Sequence, residues 1–440
     1  MTRIGREPRT AVVVGGGWSG IAAAWYLHRR GVSVTLLDEQ AGLGGRSAAA
    51  KLGDRSITLG GKNIGVRYRE FRAFVAAMEG GAFEHFGLNS SRVENGRVVT
   101  VDGTSPIAGI AGYARHARPM DLLRVLQLVR YIRADESNRF VRGPQFVELA
   151  KRRGEPLLDR FFGRYLQSSL IRPMTVRMNG AEPDEFQLAD FGANLGMMLD
   201  RFEQLTNGLQ PALDRFAKWV TVETETTVTE LLTADGRVTG VTATDAAGDS
   251  RTYEADLVVV AAPAPAAAAL VGSELPALAT ELAEIRYFPA TVVVTEYDRP
   301  VFGPVARSLF FGPDSVVSNA GAYGINDRHL VRYTFSGRAA RPYLADDFDE
   351  LRKRAEDQLS PYFPQFAGAE VVAQTGKHWA HAFCAYSHRH ADRIARIDTE
   401  AAAAGMIMVG DYRRGTSIEA CFRGAQEQVQ SVDGTRDVIG

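Results

Sequence analysis

Cysteine is nearly missing from this chain: 440 residues hold two, Cys384 and Cys421. Two isolated thiols build no disulfide framework, which excludes the small stapled folds and points to a reducing cytoplasm. Long apolar runs are missing too. The longest, 257–271, carries Pro263 and Pro265 and is too short to cross a bilayer. Neither sign of charge dominates, with 51 Lys and Arg against 52 Asp and Glu, so the chain as a whole is not a nucleic-acid binder. Basic residues ahead of an apolar stretch at the N-terminus mimic a secretion signal. Three glycines interrupt that stretch at once, and export is not expected. What remains is an ordinary globular composition, 45% hydrophobic and 23% charged, in a length that calls for two intimately packed domains.

What is present begins at residue 11. Ala11-Val12-Val13-Val14 predicts a short buried strand, broken by Gly15-Gly16-Gly17-Trp18-Ser19-Gly20 and followed by an alanine-rich helix over 21–30. A second strand over 32–37 ends on Asp38, with Glu39 beside it. In G-x-G-x-x-G the glycines serve a tight turn, bare backbone against a pyrophosphate, and close helix–strand packing. The helix start offers unpaired N–H groups and partial positive charge to phosphates, and Asp38 stands where an acid accepts from an adenosine ribose. Up to this point NAD fits as well as FAD. Gly42-Leu43-Gly44-Gly45-Arg46-Ser47 then supplies a second glycine pair and an arginine that can clasp the same pyrophosphate, and FAD is favoured.

These two segments together resemble the superfamily of flavin amine oxidases, protoporphyrinogen oxidases and phytoene desaturases. The resemblance implies an α/β fold of two domains: a Rossmann-like FAD-binding domain assembled from discontinuous segments, and an α+β substrate domain. It implies FAD contacts at Gly15, Gly17, Trp18, Ser19, Gly20, Asp38, Glu39, Gly44, Gly45 and Arg46. Asp38 replaces the usual Glu and keeps the carboxylate. Farther on, a helix opened by Thr206-Asn207-Gly208, a hairpin turning at Asp235-Gly236 and a strand ending in Ala-Pro match the family's order. On that mapping Val228 lends its backbone to the adenine; Asn207 stands where many relatives have glycine. Near the C-terminus, Gly410-Asp411 and Ser417-Ile418-Glu419 resemble the family's closing motif, which places Asp411 by the ribityl or phosphate region and Ser417 and Ile418 near the ring. A helix start aimed at the flavin would stabilise charge on the reduced ring. Arg423 departs from a small residue common there. The expected division is FAD domain at 1–90, 205–274 and 395–440, with the substrate domain at 91–204 (mostly helical) and 275–394.

Candidates for chemistry are fewer. Gly60-Gly61-Lys62-Asn63 follows a predicted strand; relatives place this loop on the reactive side of the flavin, which makes Gly60 and Gly61 cofactor contacts and Lys62 a catalytic candidate against the plain alternative of a solvated lysine. Segment 378–390 holds four of the eight histidines. No further acid or thiol is spaced to complete a zinc site, and no metal is expected. The segment resembles the family's W-x-x-A-x-P-x-Y-x-x-G-H stretch, with Cys384 at the proline and Arg389 at the glycine, so Tyr386 and His390 are candidates for the substrate cavity, against simple packing. Cys384 does not match the covalent flavin motif. Leu122, Val125, Leu126, Val129 and Ile132 share one helical face, an apolar stripe read as core, with a peripheral stance at the inner face of the membrane as the alternative.

The resulting expectation is a cytoplasmic, FAD-dependent oxidoreductase taking a hydride from a C–H or N–H bond of a small, hydrophobic organic substrate. It would pass electrons to oxygen, a quinone or another acceptor, and many relatives of this shape serve secondary metabolism. The rivals are a redox-neutral FAD isomerase, a nicotinamide dehydrogenase and a non-catalytic FAD-binding protein.

Overall fold

The computed structural model describes residues 8–86, 89–94, 96–102, 116–324 and 327–432. The apolar run at the start forms β1 (Thr10–Val14), followed by α1 (Trp18–His28) and β2 (Ser33–Leu37). With both faces covered, β1 can be apolar throughout, as central parallel strands are. Its neighbours are β2 on one side and β3 (Leu257–Val260) on the other, in the register Val12 to Thr35 and Val12 to Val258. Strands Thr221–Glu223 and Ile407–Met408 close a five-stranded parallel sheet at its two edges. The chain thus visits this sheet in separate episodes, early, midway and late. Its surroundings are one apolar cluster in which Trp18, Trp25, Phe71, Phe74 and Phe422 pack between α1, helix Arg69–Ala77 and the last helix, Ile418–Val432. The turn expected at Asp235-Gly236 joins Thr227–Ala234 to Arg237–Thr244, and both turn residues take positive φ, 50° and 74°. That is the geometry asked of a two-residue hairpin.

A second, seven-stranded sheet carries β4 (Tyr287–Tyr297), β5 (Leu330–Phe335) and β6 (Val371–Cys384). One face, with Val293, Tyr297, Tyr333 and Phe335, packs on Leu351, Ala355 and Leu359 of helix Phe348–Leu359. Alternation along β5 therefore turns Arg332 to the other face. The hairpin of Asn89–Glu94 and Arg97–Asp102 pairs at the far edge of this sheet.

Residues 119–198 are mostly helical and form their own apolar cluster around Phe146, Phe161, Phe162 and Phe191. Helix Pro119–Ala134 buries Leu128, Val129 and Ile132 but exposes Met120, Leu123 and Leu126, at 57, 59 and 56%. Leu126, expected on the buried face, is outside it. The helix Arg172–Asn179 ends at Gly180, whose positive φ closes the last turn. It lies against the second sheet: Ser336 Oγ donates to the Val176 carbonyl at 3.0 Å and Arg172 to the Phe311 carbonyl at 3.0 Å. No helix among the described residues is long and apolar enough to cross a membrane.

Candidate functional site

The loop after β1 folds around its glycines. Gly15 takes φ +105°, and its N–H donates to the Leu37 carbonyl at 2.8 Å. A Cβ on Gly20 would sit 1.8 Å from the Gly15 carbonyl oxygen, so α1 meets the strand more closely than any side chain permits. Gly17 is the opposite case: a Cβ there meets nothing within 4 Å. It caps α1, and no side chain satisfies the first-turn N–H groups. Open space beside free donors is what a pyrophosphate requires. Trp18 turns its ring into the aromatic core, 5.2 Å from Phe71, leaving backbone for any ligand; Ser19 is buried beside it.

The second glycine loop touches the first. The Gly44 N–H donates to the Gly16 carbonyl at 2.8 Å, and a Cβ on Gly45 would lie 3.1 Å from Gly17 Cα. Gly44 and Gly45 take φ +104° and +55°. Asp38 is buried at the end of β2, where it accepts from the N–H groups of Gly16 and, at 2.7 Å, Gln40. Burial raises its pKa, partly offset by those two bonds. Glu39 beside it is exposed. The Thr226 N–H donates to the Asp38 carbonyl at 2.9 Å, which brings the strand bearing Val228 to the same place. Gly60 packs on this loop, since a Cβ there would lie 1.9 Å from the Arg46 carbonyl oxygen, and Ser47 Oγ donates to the Gly61 carbonyl at 3.0 Å.

Arg46 ties the beginning of the chain to its end. Its guanidinium donates to Asp411 at 2.8 Å, and the Tyr287 hydroxyl donates to the other Asp411 oxygen at 2.6 Å. Burial pulls the Arg46 pKa down, but Asp411 and Tyr287 more than offset it and the charge is secure. Asp411 itself is 3% exposed. Behind it, the Tyr386 hydroxyl donates to the Asp411 carbonyl at 2.9 Å, and His390 Nε2 bonds to the Tyr412 carbonyl at 2.5 Å. A carbonyl only accepts, so Nε2 carries the proton. Burial lowers the His390 pKa to about 4 and keeps the ring neutral. The Tyr386 hydroxyl and His390 Nε2 are thus committed to the backbone of the turn at 410–412. Gly410 has no room for a side chain, because a Cβ would lie 2.2 Å from the Tyr412 ring. Ser417 Oγ accepts from the Ala420 N–H at 3.2 Å at the start of the last helix, and Ile418 joins the core near Trp18. The Cys384 thiol is buried with its pKa pushed well up, an inert group rather than a nucleophile.

Lys62 reaches away from these loops. Its ammonium donates to the Tyr323 carbonyl and, at 3.2 Å, to Gln204, and stands 3.6 Å from the centroid of the Tyr323 ring and 5.1 Å from that of Phe86. Burial, with Arg332 nearby, lowers its pKa to about 7. Arg332 donates to the Gly60 carbonyl at 2.7 Å, and burial followed by nearby Arg177 lowers its pKa to about 10. Neither arginine was singled out from the sequence; nothing local marks them. Another omission is Asp190, at 0% exposure, whose carboxylate oxygens have no hydrogen-bond partner among the described residues. Among those residues no three His, Cys, Asp or Glu side chains gather to hold a metal ion.

Two interlocked glycine loops, an open helix start, a buried acid at the second strand and a far acid tied back by Arg46 fit an extended FAD. The sequence profile described as flavin containing amine oxidoreductase matches residues 18–432. No curated protein matches the sequence. Among solved structures, wild-type putrescine oxidase bound to putrescine superposes with a TM-score of 0.72 at 15% identity, covering 96% of this chain and 98% of that one. Cyclohexylamine oxidase from Brevibacterium oxydans IH-35A gives 0.68 at 16%, covering 97% and 98%. A CLA-producing fatty acid isomerase from P. acnes gives 0.69 at 15%, covering 96% and 98%. At such identities the likeness is one of fold.

Proposed function

The chain belongs to the flavin-containing amine oxidoreductase family and is an FAD-dependent oxidoreductase, and from that premise we propose how its residues divide the work. Gly15, Gly17, Ser19, Gly20, Gly44, Gly45 and Arg46 would hold the pyrophosphate, Asp38 and the backbone of Trp18, Glu39 and Val228 the adenosine end. Gly60, Gly61, Gly410, Asp411, Ser417 and Ile418 would flank the flavin end. Bound FAD supplies a hydride acceptor. The protein's share is to orient a C–H or N–H bond of a small organic molecule and to exclude water, which needs no nucleophile. Lys62 would serve beside the Gly60-Gly61 turn as a half-buried amine whose charge is lost near neutrality. Tyr386 and His390 act through the turn at 410–412, which they brace.

The observation that carries this reading is the direct bond between the two glycine loops, with Arg46 tying the second to Asp411. Anaerobic mixing with substrate tests the reaction. Loss of the flavin's visible absorption, restored by oxygen or a quinone, is the expected result. Turnover with no external acceptor would replace it with redox-neutral isomerisation, and a flavin that no substrate bleaches would leave a binding protein.

Met120, Leu123 and Leu126 stand exposed on the helix that also exposes Arg130 and Arg133. This supports a peripheral stance of that helix on an anionic bilayer. The protein should sediment with phosphatidylserine vesicles and a triple serine variant at those three positions should not; equal sedimentation of both rejects the idea.

A further inference from the structure

Buried and half-buried arginines around the helix Arg172–Asn179 pair with carboxylates. On it, Arg172 pairs with Glu182 at 2.7 Å, and close by Arg341 pairs with Glu185 at 2.7 Å. Arg177 on the same helix does not. Its guanidinium stands 5.5 Å from the centroid of the Phe310 ring and makes no hydrogen bond or ion pair with any described residue. Arg177 is half-buried: packing around it lowers its pKa, yet part of its surface stays accessible to a small molecule. Arg332, on the facing strand β5, has the Gly60 carbonyl as its polar partner and no carboxylate. Strand register puts Arg332 on the same sheet face as Phe310, the ring against Arg177, and the Arg177 charge helps to lower the Arg332 pKa.

Two half-buried cations without an anion are costly to fold, and such an arrangement persists where a ligand completes it. The surroundings describe the rest of that ligand. Phe310 lies against Arg177, and a Cβ on Gly180 at the helix end would touch Phe383 at 3.0 Å and Phe288 at 3.1 Å. Arg332 bonds to Gly60, which packs on the Arg46 backbone, so the cation pair stands at the loop that flanks the FAD site. Asp190, the buried acid without a partner, does not compete for this role, because none of it is accessible.

We infer that the substrate is an amphipathic acid whose carboxylate is gripped by Arg177 and Arg332 while its apolar body lies among aromatic side chains. The inference rests on the FAD-dependent reading above. A guanidinium fork matches a planar carboxylate in a way that an alcohol or amine does not.

The test titrates FAD-loaded protein with 4-phenylbutyrate, 4-phenylbutylamine and 4-phenylbutanol, following the flavin absorption spectrum. The carboxylate should bind at least about tenfold tighter than the other two. Arg177→Met and Arg332→Met should each weaken it about tenfold to a hundredfold, the usual worth of a charged hydrogen bond, and leave the alcohol unaffected. Arg177→Lys should recover part of the loss. Because Arg177 pairs with no anion among the described residues, Arg177→Met should also raise the melting temperature by about one to three degrees, opposite to the loss of a structural contact. The idea falls if the amine or alcohol binds as tightly, if no carboxylate binding is seen, or if Arg177→Met melts lower with affinity unchanged. Released FAD is measured for every sample. A chain without FAD would count against the flavin site itself, whereas FAD-loaded protein indifferent to ligand charge would overturn this inference alone.

Discussion

Gly17 and Gly20 lie three residues apart in one loop and face opposite demands. Space is open at Gly17 and its backbone is unstrained, so Gly17→Val should fold normally while filling the place reserved for a phosphate. Gly20→Ala puts a methyl inside van der Waals distance of the Gly15 carbonyl and should destabilise the fold by about 2–4 kcal/mol. The check is the ratio of FAD to protein alongside the melting temperature. Gly17→Val should lose FAD with its melting point near that of apoprotein, and full FAD occupancy in that variant would contradict the assignment. Asp190 offers a second test. Burial raises its pKa to about 7, only partly countered by Arg142. The folded state then holds a proton the unfolded state has released, so stability falls as pH rises from about 4 to about 7. Asp190→Asn should remove that slope and add about 1–3 kcal/mol above pH 7 in urea unfolding. An unchanged pH dependence would argue against it. Lys62 works in the other direction. Its pKa falls from 10.5 to about 7, with Arg332 opposing its charge and Asp327 and Glu84 favouring it. Between about pH 7 and 10.5 the unfolded chain binds the proton and the folded one does not, so stability rises with pH across that window. Lys62→Met should flatten the rise.

At the scale of elements, what was legible in the sequence is what is local. The first strand, its glycine turn, the acid at the second strand and the Gly-Asp turn announce themselves within a few residues, because turn chemistry and strand burial depend on neighbours in the chain. Arg177 and Arg332 could not be found that way. Each belongs to an unremarkable helix or strand, and only the packing of helix Arg172–Asn179 on the second sheet makes them a pair. Tyr386 and His390 illustrate the converse. Their segment was legible, but which way the side chains face depends on where β6 ends, at Cys384, and where helix His390–Ala403 begins. They turn toward the backbone behind Asp411. Tyr386→Phe should therefore loosen that turn and weaken FAD binding about fivefold to tenfold, the worth of one neutral hydrogen bond. Turnover of the FAD-saturated variant should keep the wild-type pH profile, and a shifted profile would mean the hydroxyl meets the reaction directly.

Across the whole molecule, three separated stretches of chain build one cofactor sheet, and the bond between Arg46 and Asp411 spans 365 positions of sequence. A fold closed in this way gains stability from whatever bridges its parts, so added FAD should raise the melting temperature with the logarithm of its concentration. The most direct test of the account is the electron density of FAD in crystals of the loaded protein. The account expects the diphosphate against the Gly17 and Gly45 backbone, with the isoalloxazine running toward Ser417 and Ile418 and with Arg177 and Arg332 beside it. A diphosphate bound elsewhere, or a ring pointing away from the last helix, would contradict it.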